Sequence, residues 1–317
     1  MMPPMQLITN ITKYLALAIL SCSLILAWDG SHTEWIYAIP TSVDEGVSEG
    51  TASRTVWIEI SAALNLDHRV QSTQVQAEIK NLLSNPAKFN SILQAASPYI
   101  YYIYHQTRDR GLPAELALIP IIESEFNPND HSSKGATGLW QLMSATAHEL
   151  GVKVIGGYDG RRNVIDSTMA ALAYFRDLGK NFNGDWYLAI AAYNCGQGRI
   201  ASALHRTGSQ SFWNLSLPKE TKIYVPKLLA VAAIVKNPEK YGVTLPQVEN
   251  QPYFTELKVK KAVDLKQVAQ KSGISMTTLQ RLNPDYKSKA VPKKRGNYVV
   301  LVPADKASVV KSQLGVA

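Results

Sequence analysis

The chain has 317 residues, enough for one or two domains with a proper hydrophobic core, and its 46% hydrophobic and 18% charged content is that of a globular protein. All of the excess positive charge lies in residues 252–317, which hold thirteen Lys and Arg against four acidic residues. Such a segment suits an anionic polymer or surface, although a solvated basic surface is the common alternative. The two cysteines, Cys22 and Cys195, give no disulfide framework, and no Cys or His spacing indicates a metal site. We therefore expect no cofactor, and no nucleic-acid partner.

Residues 1–28 predict a signal peptide or an N-terminal anchor. Lys13 precedes fifteen mostly apolar residues, a length typical of a signal peptide and short for a membrane-spanning helix. Cys22 lies in a poor lipoprotein box, because Leu20 is bulky and the apolar run continues past the cysteine. Cleavage, lipidation and retention as a membrane anchor stay open, but the segment predicts an exported protein of the periplasm or cell envelope. Residues 29–54 are small and polar and predict a linker.

The central part of the chain, residues 55–245, predicts a mainly helical domain. Apolar residues recur at helical spacing and no alternating strand pattern is evident between Trp57 and Tyr241. One long helix is predicted from about Ala87 to Arg110. Further helices are predicted near 57–60, 113–123, 144–151, 166–178, 186–194 and 220–234.

One stretch places a single acidic residue, Glu123, inside an almost wholly apolar run. Pro113 stands where a first helical position would be, and Glu115 suits the first turn. Pro120 and Ile119, three and four residues before Glu123, make that face apolar. An apolar wall raises the pKa of a carboxyl group, which is what a general acid needs near neutral pH. The alternative interpretation is a core helix with one hydrogen-bonded glutamate.

The C-terminal part predicts a small α+β module over residues 252–303, followed by a fraying helix or a tail over 304–317. Residues 254–259 and 297–302 read as strands. Between them, Asp264 and Ser275 are each placed to cap a short helix. The expected order is therefore strand, helix, helix, strand. We expect the two domains to be separable by proteolysis near residues 245–252, where Pro246 and Pro252 lie.

Four separated signatures carry a resemblance to a known family. In order they are Glu123-Ser124, the GLWQ sequence ending at Gln141, Ala192-Tyr193-Asn194, and Glu220-Thr221 followed by Tyr224-Val225. Together they resemble the family 1 lytic transglycosylases, whose fold is lysozyme-like, and most of all the membrane-bound D branch. Residues 254–303 are similar to a LysM peptidoglycan-binding module. They depart from it at Ala262-Val263-Asp264, where LysM sequences carry Gly-Asp-Thr.

The resemblance implies a peptidoglycan lytic transglycosylase active on glycan strands, with unknown partner proteins. Cleavage would fall at the β-1,4 bond between N-acetylmuramic acid and N-acetylglucosamine and would form a 1,6-anhydromuramyl end. Glu123 would act first as acid and then as base. The resemblance also assigns substrate contacts to Ser124, Gln141, Tyr193, Asn194 and Tyr224. Glu125, about 200° around a helix from Glu123, is expected to face away.

Three other functions stay open. A lysozyme-type hydrolase on the same fold would differ only in using water as the nucleophile. A non-catalytic scaffold would only grip the glycan, although the intact Glu123 argues against it. The basic C-terminal segment could instead bind an anionic membrane.

Overall fold

A computed structural model describes residues 55–259, 263–286 and 298–314. The predicted signal or anchor segment, 1–28, and the predicted linker, 29–54, lie outside these residues. Within the described part of the chain, no helix combines the length and the apolar character needed to cross a membrane.

The central domain is helical, as predicted. Its helices are α1 Val56–Ala63, α2 Thr73–Leu83, α3 Pro86–Ala96, α4 Ile100–Arg108, α5 Ile119–Glu123, α6 Ser144–Glu149, α7 Val164–Asn181, α8 Trp186–Cys195, α9 Gln197–Thr207 and α10 Lys219–Lys236. Side chains cap several of them at the positions that polar residues favour. Asn85, Asn163 and Asp185, for example, accept hydrogen bonds from the first-turn N–H groups of α3, α7 and α8.

Helix α10 lies at the centre of this domain. It contacts α1, α2, α5 and α8, and twelve of its eighteen residues are buried. Pro226 lies inside the helix, two residues after the buried Tyr224. The packing of α10 against α5 brings the C-terminal signature next to Glu123.

One prediction about local structure is wrong, and one small element has no signature in the sequence. The long helix predicted from Ala87 to Arg110 is divided into α3 and α4, because Pro98 has no N–H to continue the hydrogen-bond ladder. A short antiparallel hairpin, β1 Val154–Ile155 and β2 Tyr158–Asp159, interrupts the otherwise helical domain. Two-residue strands are too short to produce an alternating pattern in the sequence.

Glu115 lies in the first turn of a helical segment, as predicted, and it also takes part in a buried polar contact. It is in a 3₁₀ segment, Ala114–Leu118, and its side chain is fully buried. Its Oε1 accepts hydrogen bonds from the backbone N–H of Leu66, at 2.9 Å, and from His68 Nε2, at 3.0 Å. These two hydrogen bonds therefore hold the loop after α1 against the segment that leads into Glu123.

The C-terminal module has the predicted βααβ order. Strand β3 Phe254–Val259 pairs antiparallel with β4 Tyr298–Pro303, and helices α11 Leu265–Ser272 and α12 Met276–Leu282 lie between them. Asp264 and Ser275 cap the two helices as expected, accepting hydrogen bonds of 2.8 and 3.0 Å from first-turn N–H groups. Residues 304–314, predicted as a fraying helix or a tail, form a 3₁₀ turn and helix α13 Ala307–Leu314. This helix packs on the module through the fully buried Val310.

The module packs directly against the helical domain. Tyr99 Oη donates to the backbone carbonyl of Arg281 at 2.7 Å, and Arg281 Nη2 donates to the carbonyl of Ala95 at 2.8 Å. A second contact joins Asn163 Nδ2 to Asp285 Oδ2 at 3.0 Å. The hydrophobic core of the helical domain also continues into the module through its buried residues Phe254, Leu282 and Leu301.

The segment between the two parts is also held in place. The N–H of Val56 donates to the carbonyl of Val248 at 2.9 Å, and Asn250 Nδ2 donates to Glu59 Oε1 at 2.5 Å. The separability of the domains at 245–252 remains a proposal. These contacts imply that the segment resists proteolysis while α1 stays folded.

Candidate active site

Glu123 is the last residue of the short helix α5. Every residue from Ala114 to Ile121 is buried, so the chain that leads to the glutamate is part of the core. The helix stops because Glu125 and Phe126 adopt positive φ angles of 53° and 57°. The N–H of Phe126 then donates back to the carbonyl of Pro120 at 3.0 Å. This end leaves the half-buried side chain of Glu123 at the wall of a cleft.

The environment of Glu123 suits a carboxyl group that holds a proton near neutrality. Its pKa is raised to about 7, mainly by burial, and the charge of Glu220 acts in the same direction. A hydrogen bond from Tyr224 and the charge of Lys227 act in the opposite direction. The predicted increase in pKa is therefore confirmed, and burial by the apolar run is its main cause.

Two tyrosines lie beside Glu123. Tyr224 Oη donates a 2.5 Å hydrogen bond to Glu123 Oε1. Tyr193 Oη donates to the backbone carbonyl of Trp140 at 2.7 Å, and its ring stacks on Phe175 with centroids 4.3 Å apart. Burial, and then the negative charge of Glu123, raises the pKa of both phenols well above the ordinary value, so both keep their protons at neutral pH.

The GLWQ segment forms a rigid wall next to Glu123. Ser124 Oγ donates to the carbonyl of Leu139 at 2.9 Å, and Trp140 Nε1 donates to Thr168 Oγ1 at 2.9 Å. Gln141 has a φ of 46°, and its Nε2 donates to the carbonyl of Gly138 at 2.9 Å. The hydrogen bonds of Ser124 and Trp140 thus hold the GLWQ loop in place, and Trp140 has a packing role. Gln141 lies in the cleft wall.

A cleft of about 760 Å³ collects most of the predicted site residues. Glu123, Gln141, Tyr193, Asn194 and Tyr224 all line it. Asn194 lies near the end of α8, where its Oδ1 accepts from Thr221 Oγ1 at 2.8 Å. That bond uses the amide oxygen and leaves the N–H₂ group for a ligand.

Ser124 does not line the cleft. Its side chain is buried, and its hydroxyl is directed to main-chain carbonyl groups. The predicted substrate contact therefore has no support in the structure. Its geometry instead gives Ser124 the role of joining α5 to the GLWQ loop.

Several charged residues of the cleft were not identified from the sequence. Lys227 is three residues after Tyr224 on α10, so helical spacing could have placed it on the same face. Asp130 and Arg199 also line the cleft, but Asp130 follows no helical period because it lies in a loop. Glu220, which belongs to the fourth sequence signature but was given no role, also lines the cleft, and it pairs with Lys134 at 3.7 Å with both side chains largely exposed.

Glu125 lies outside the cleft, as predicted, but for a different reason. The helix has ended before it, and the left-handed backbone turns its side chain to solvent. There its Oε1 pairs with Lys88 Nζ at 2.6 Å, and about half of each side chain remains exposed. Among the cleft-lining residues that the structure describes, the carboxylates besides Glu123 are Asp130 and Glu220.

Two family models match the chain. Residues 100–216 match the Transglycosylase SLT domain, which includes Glu123, Gln141, Tyr193 and Asn194. Residues 253–315 match the family described as lytic transglycosylase MltD, LysM-like domain.

Individual proteins show the same similarity. The chain is 37% identical over 248 residues to membrane-bound lytic murein transglycosylase D of Escherichia coli K12, covering 77% of this chain and 55% of that protein. It is 41% identical over 173 residues to a putative tributyltin chloride resistance protein of Alteromonas sp. strain M-1, covering 54% of this chain and 82% of that one. An X-ray structure of an inactive mutant of the lytic transglycosylase Slt from Pseudomonas aeruginosa is 29% identical, with a TM-score of 0.36. That match covers 46% of this chain and 25% of the other.

The chain spans about half the length of the Escherichia coli relative. The two domain matches occur in the order that the sequence analysis expected, and the helical SLT region holds the cleft around Glu123. The chain therefore belongs to the SLT-domain lytic transglycosylase family, in the branch that carries the C-terminal LysM-like domain.

Proposed function

We propose that this protein is a peptidoglycan lytic transglycosylase. It cleaves the β-1,4 bond between N-acetylmuramic acid and N-acetylglucosamine and leaves a 1,6-anhydromuramyl end. The observation that carries the proposal is a half-buried glutamate, Glu123, with a pKa of about 7, which accepts a hydrogen bond from Tyr224 in the wall of a cleft of about 760 Å³.

The reaction needs one group that works first as acid and then as base. Protonated Glu123 donates its proton to the glycosidic oxygen as the bond from the muramyl C1 breaks. The resulting carboxylate accepts the proton of the muramyl C6 hydroxyl, whose oxygen bonds to C1 and closes the anhydro ring. The proton returns to Glu123 and no water is consumed. A pKa near 7 suits both steps, because neither protonation state is strongly disfavoured at neutral pH.

The internal nucleophile explains how one carboxylate can suffice. Most glycosidases pair the acid with a second carboxylate that activates water or attacks the sugar. A hydroxyl on the same sugar has a high effective concentration, so it needs less activation. Tyr224 holds the carboxylate of Glu123 in place through its 2.5 Å hydrogen bond.

A lysozyme-type hydrolase is the second candidate, because Asp130 and Glu220 also line the cleft and could position a water. Mass spectrometry of the fragments released from purified peptidoglycan separates the two. The proposal predicts ends about 18 mass units lighter than hydrolysed ends, since no water is added. Ordinary reducing ends, labelled when the reaction is run in ¹⁸O-water, would assign the protein to the hydrolases.

The rest of the chain fits a cell-envelope enzyme. We infer that residues 1–28 export the protein or anchor it to a membrane, and that the basic C-terminal module, 252–303, adds affinity for peptidoglycan. The relative in Escherichia coli is named a membrane-bound murein enzyme. Its name, together with the apolar run after Lys13, supports a place in the periplasm or cell envelope.

A further inference from the structure

A second pocket opens beside the cleft, and we call it the side pocket. Its volume is about 580 Å³. It is lined by Cys195, Gly198, Arg199, Ser202, Arg206, Ser216 and Pro218. Three of these residues, Cys195, Arg199 and Pro218, also line the cleft that holds Glu123. The two spaces are therefore contiguous, and a group that branches from a ligand in the cleft can enter the side pocket.

One face of α9 supplies the polar groups of the side pocket. Arg199, Ser202 and Arg206 follow one another at spacings of three and four residues, which places them on the same side of the helix. Both arginine side chains are exposed to solvent. Within the described part of the chain, no carboxylate forms an ion pair with either guanidinium, so both remain available to an anionic ligand.

Gly198 adds no side chain to the side pocket, and the space beside its Cα is open, since a Cβ atom placed there would have no neighbour within 4 Å. Ser216 and Pro218, which lead into α10, also line the side pocket. A ligand group in this space is therefore close to the guanidinium donors of α9 and to a serine hydroxyl.

The charges of the two spaces differ. The cleft is lined by acidic as well as basic residues, including Glu123, Asp130 and Glu220. The side pocket is lined by two arginines and by no acidic residue. The cleft also holds Lys134, Arg199 and Lys227, so its charges largely balance, whereas a negatively charged branch of the substrate is attracted by the unbalanced positive charge of the side pocket.

We propose that the side pocket binds a free carboxylate of the peptide stem carried by the muramyl residue in the cleft. This inference rests on the proposed function. Each muramyl residue carries its peptide on the lactyl group, to one side of the glycan strand, and the stem has free carboxylates. Arginine suits this ligand, because its planar guanidinium pairs with a carboxylate through two parallel hydrogen bonds. Arg206 serves here as a specificity residue, because it lines only the side pocket.

Binding in a Glu123→Gln background tests the proposal without cleavage of the ligand. The full-length protein is titrated with soluble glycan strands of one length that carry either intact stem peptides or stems whose carboxyl groups are blocked as amides. We expect blocking to raise the Kd about tenfold, as for loss of one charge-assisted hydrogen bond of about 1.4 kcal/mol. Adding Arg206→Gln should raise the Kd of intact stems to that of amidated stems. Arg176→Gln, which changes an exposed side chain of α7 outside both spaces, is the control and should keep the tenfold difference.

Two results would overturn the proposal. One is an unchanged preference for intact stems in the Arg206→Gln protein. The other is equal affinity of the parent protein for intact and amidated stems. A general folding defect would weaken the binding of both ligands together, so the ratio of the two Kd values separates it from a lost carboxylate contact. Failure of the proposed function would be visible separately, as wild-type protein that releases no anhydro ends from either strand.

Discussion

Tyr224 donates a 2.5 Å hydrogen bond to Oε1 of Glu123, although the two residues are 101 positions apart in the sequence. The contact joins the end of α5 to the buried face of α10. Because a donor stabilises the ionised form of a carboxyl group, Tyr224 opposes the large effect of burial on the pKa of Glu123. The pair therefore sets the proton affinity of the proposed acid and holds it in one orientation.

Replacing Tyr224 by Phe should raise the pKa of Glu123 above about 7. The acid form then persists to higher pH, so the alkaline limb of the pH profile of kcat/KM moves upward. We also expect the rate at the optimum to fall about tenfold, from the loss of one hydrogen bond to a charged group. Rates of anhydro-end release across neutral pH measure both effects. Tyr174→Phe is the control, because Tyr174 contacts the ring of Tyr193 and lies outside the cleft. An alkaline limb that moves to lower pH would contradict this view of Tyr224.

Glu123 should also make the stability of the protein depend on pH. Its folded pKa, about 7, lies above the ordinary value of 4.5, so the folded state holds its proton more tightly than the unfolded chain does. The stabilising effect of the neutral form is complete below pH 4.5 and is lost as the pH rises through 7. Glu123→Gln cannot ionise, so at pH 8 it should be more stable than the wild type by about 1 to 2 kcal/mol, with a smaller difference at low pH. Urea unfolding at both pH values measures this, and an equal difference at both would be inconsistent with a raised pKa.

Gly138 should tolerate no side chain. Its φ is +84°, and a Cβ atom would clash with the backbone carbonyl of Arg161. Gly138→Ala should destabilise the fold by about 3 kcal/mol and displace the GLWQ wall, with loss of activity. Gly135→Ala is a matched control in the same loop. Gly135 has a φ of +91° but open space around it, so only backbone strain of about 1 kcal/mol is expected. Thermal unfolding of both variants checks the difference, and equal losses would show that the contact with Arg161 has no effect.

Arg281 should link the stability of the C-terminal module to that of the helical domain. Its guanidinium donates to the carbonyl of Ala95 and lies 5.7 Å from the ring of Tyr99. Arg281→Ala should therefore cost about 1 to 2 kcal/mol and increase hydrogen exchange at the end of α3. Lys266→Ala, an exposed change in the same module, should have neither effect. If hydrogen exchange at α3 were unchanged in Arg281→Ala, the stability of the helical domain would not depend on this contact with the C-terminal module.

The contacts between the C-terminal module and the helical domain affect how removal of the module must be interpreted. Removing residues 252–317 should weaken peptidoglycan binding, and the lost binding should be salt-sensitive because this part carries the excess positive charge. It would also uncover the core next to Phe254 and Leu282, so some loss of stability in the helical domain is expected as well. The effect on binding must therefore be compared at equal folded fraction.

The family resemblance selected Gln141, Tyr193, Asn194 and Tyr224, and the structure places all four in one cleft with Glu123. Local features of the chain account for part of that placement. Glu123 follows an apolar run, Asn194 lies at a helix end, and Tyr224 faces inward on a long apolar helix. Contacts between residues far apart in the sequence could not be predicted from local sequence features. The buried pairing of Glu115 with His68 depends on how the loop after α1 folds back, which no local pattern encodes.

Backbone geometry accounts for other differences. Glu125 faces solvent because Glu125 and Phe126 both adopt left-handed backbone conformations, which are uncommon for residues other than glycine. Helical spacing therefore does not describe the position of the Glu125 side chain. The hydroxyl of Ser124 was assigned to the substrate by resemblance, whereas packing turns it to Leu139. The packing of the C-terminal module against Tyr99 could not be predicted from helical periodicity either. Periodicity describes one segment at a time, whereas this contact depends on how two segments are arranged in the folded protein.

The central claim is that Glu123 alone carries both proton transfers, and paired amide variants test it most directly. The rate of anhydro-end release from purified peptidoglycan is measured for Glu123→Gln and for Glu125→Gln. Glu123→Gln should lose about 10⁴ or more in rate, because general acid and general base catalysis both disappear. Glu125→Gln should stay within about threefold of the wild type, since it removes only an exposed ion pair with Lys88. A Glu123→Gln protein that still releases anhydro ends at the wild-type rate would contradict the account.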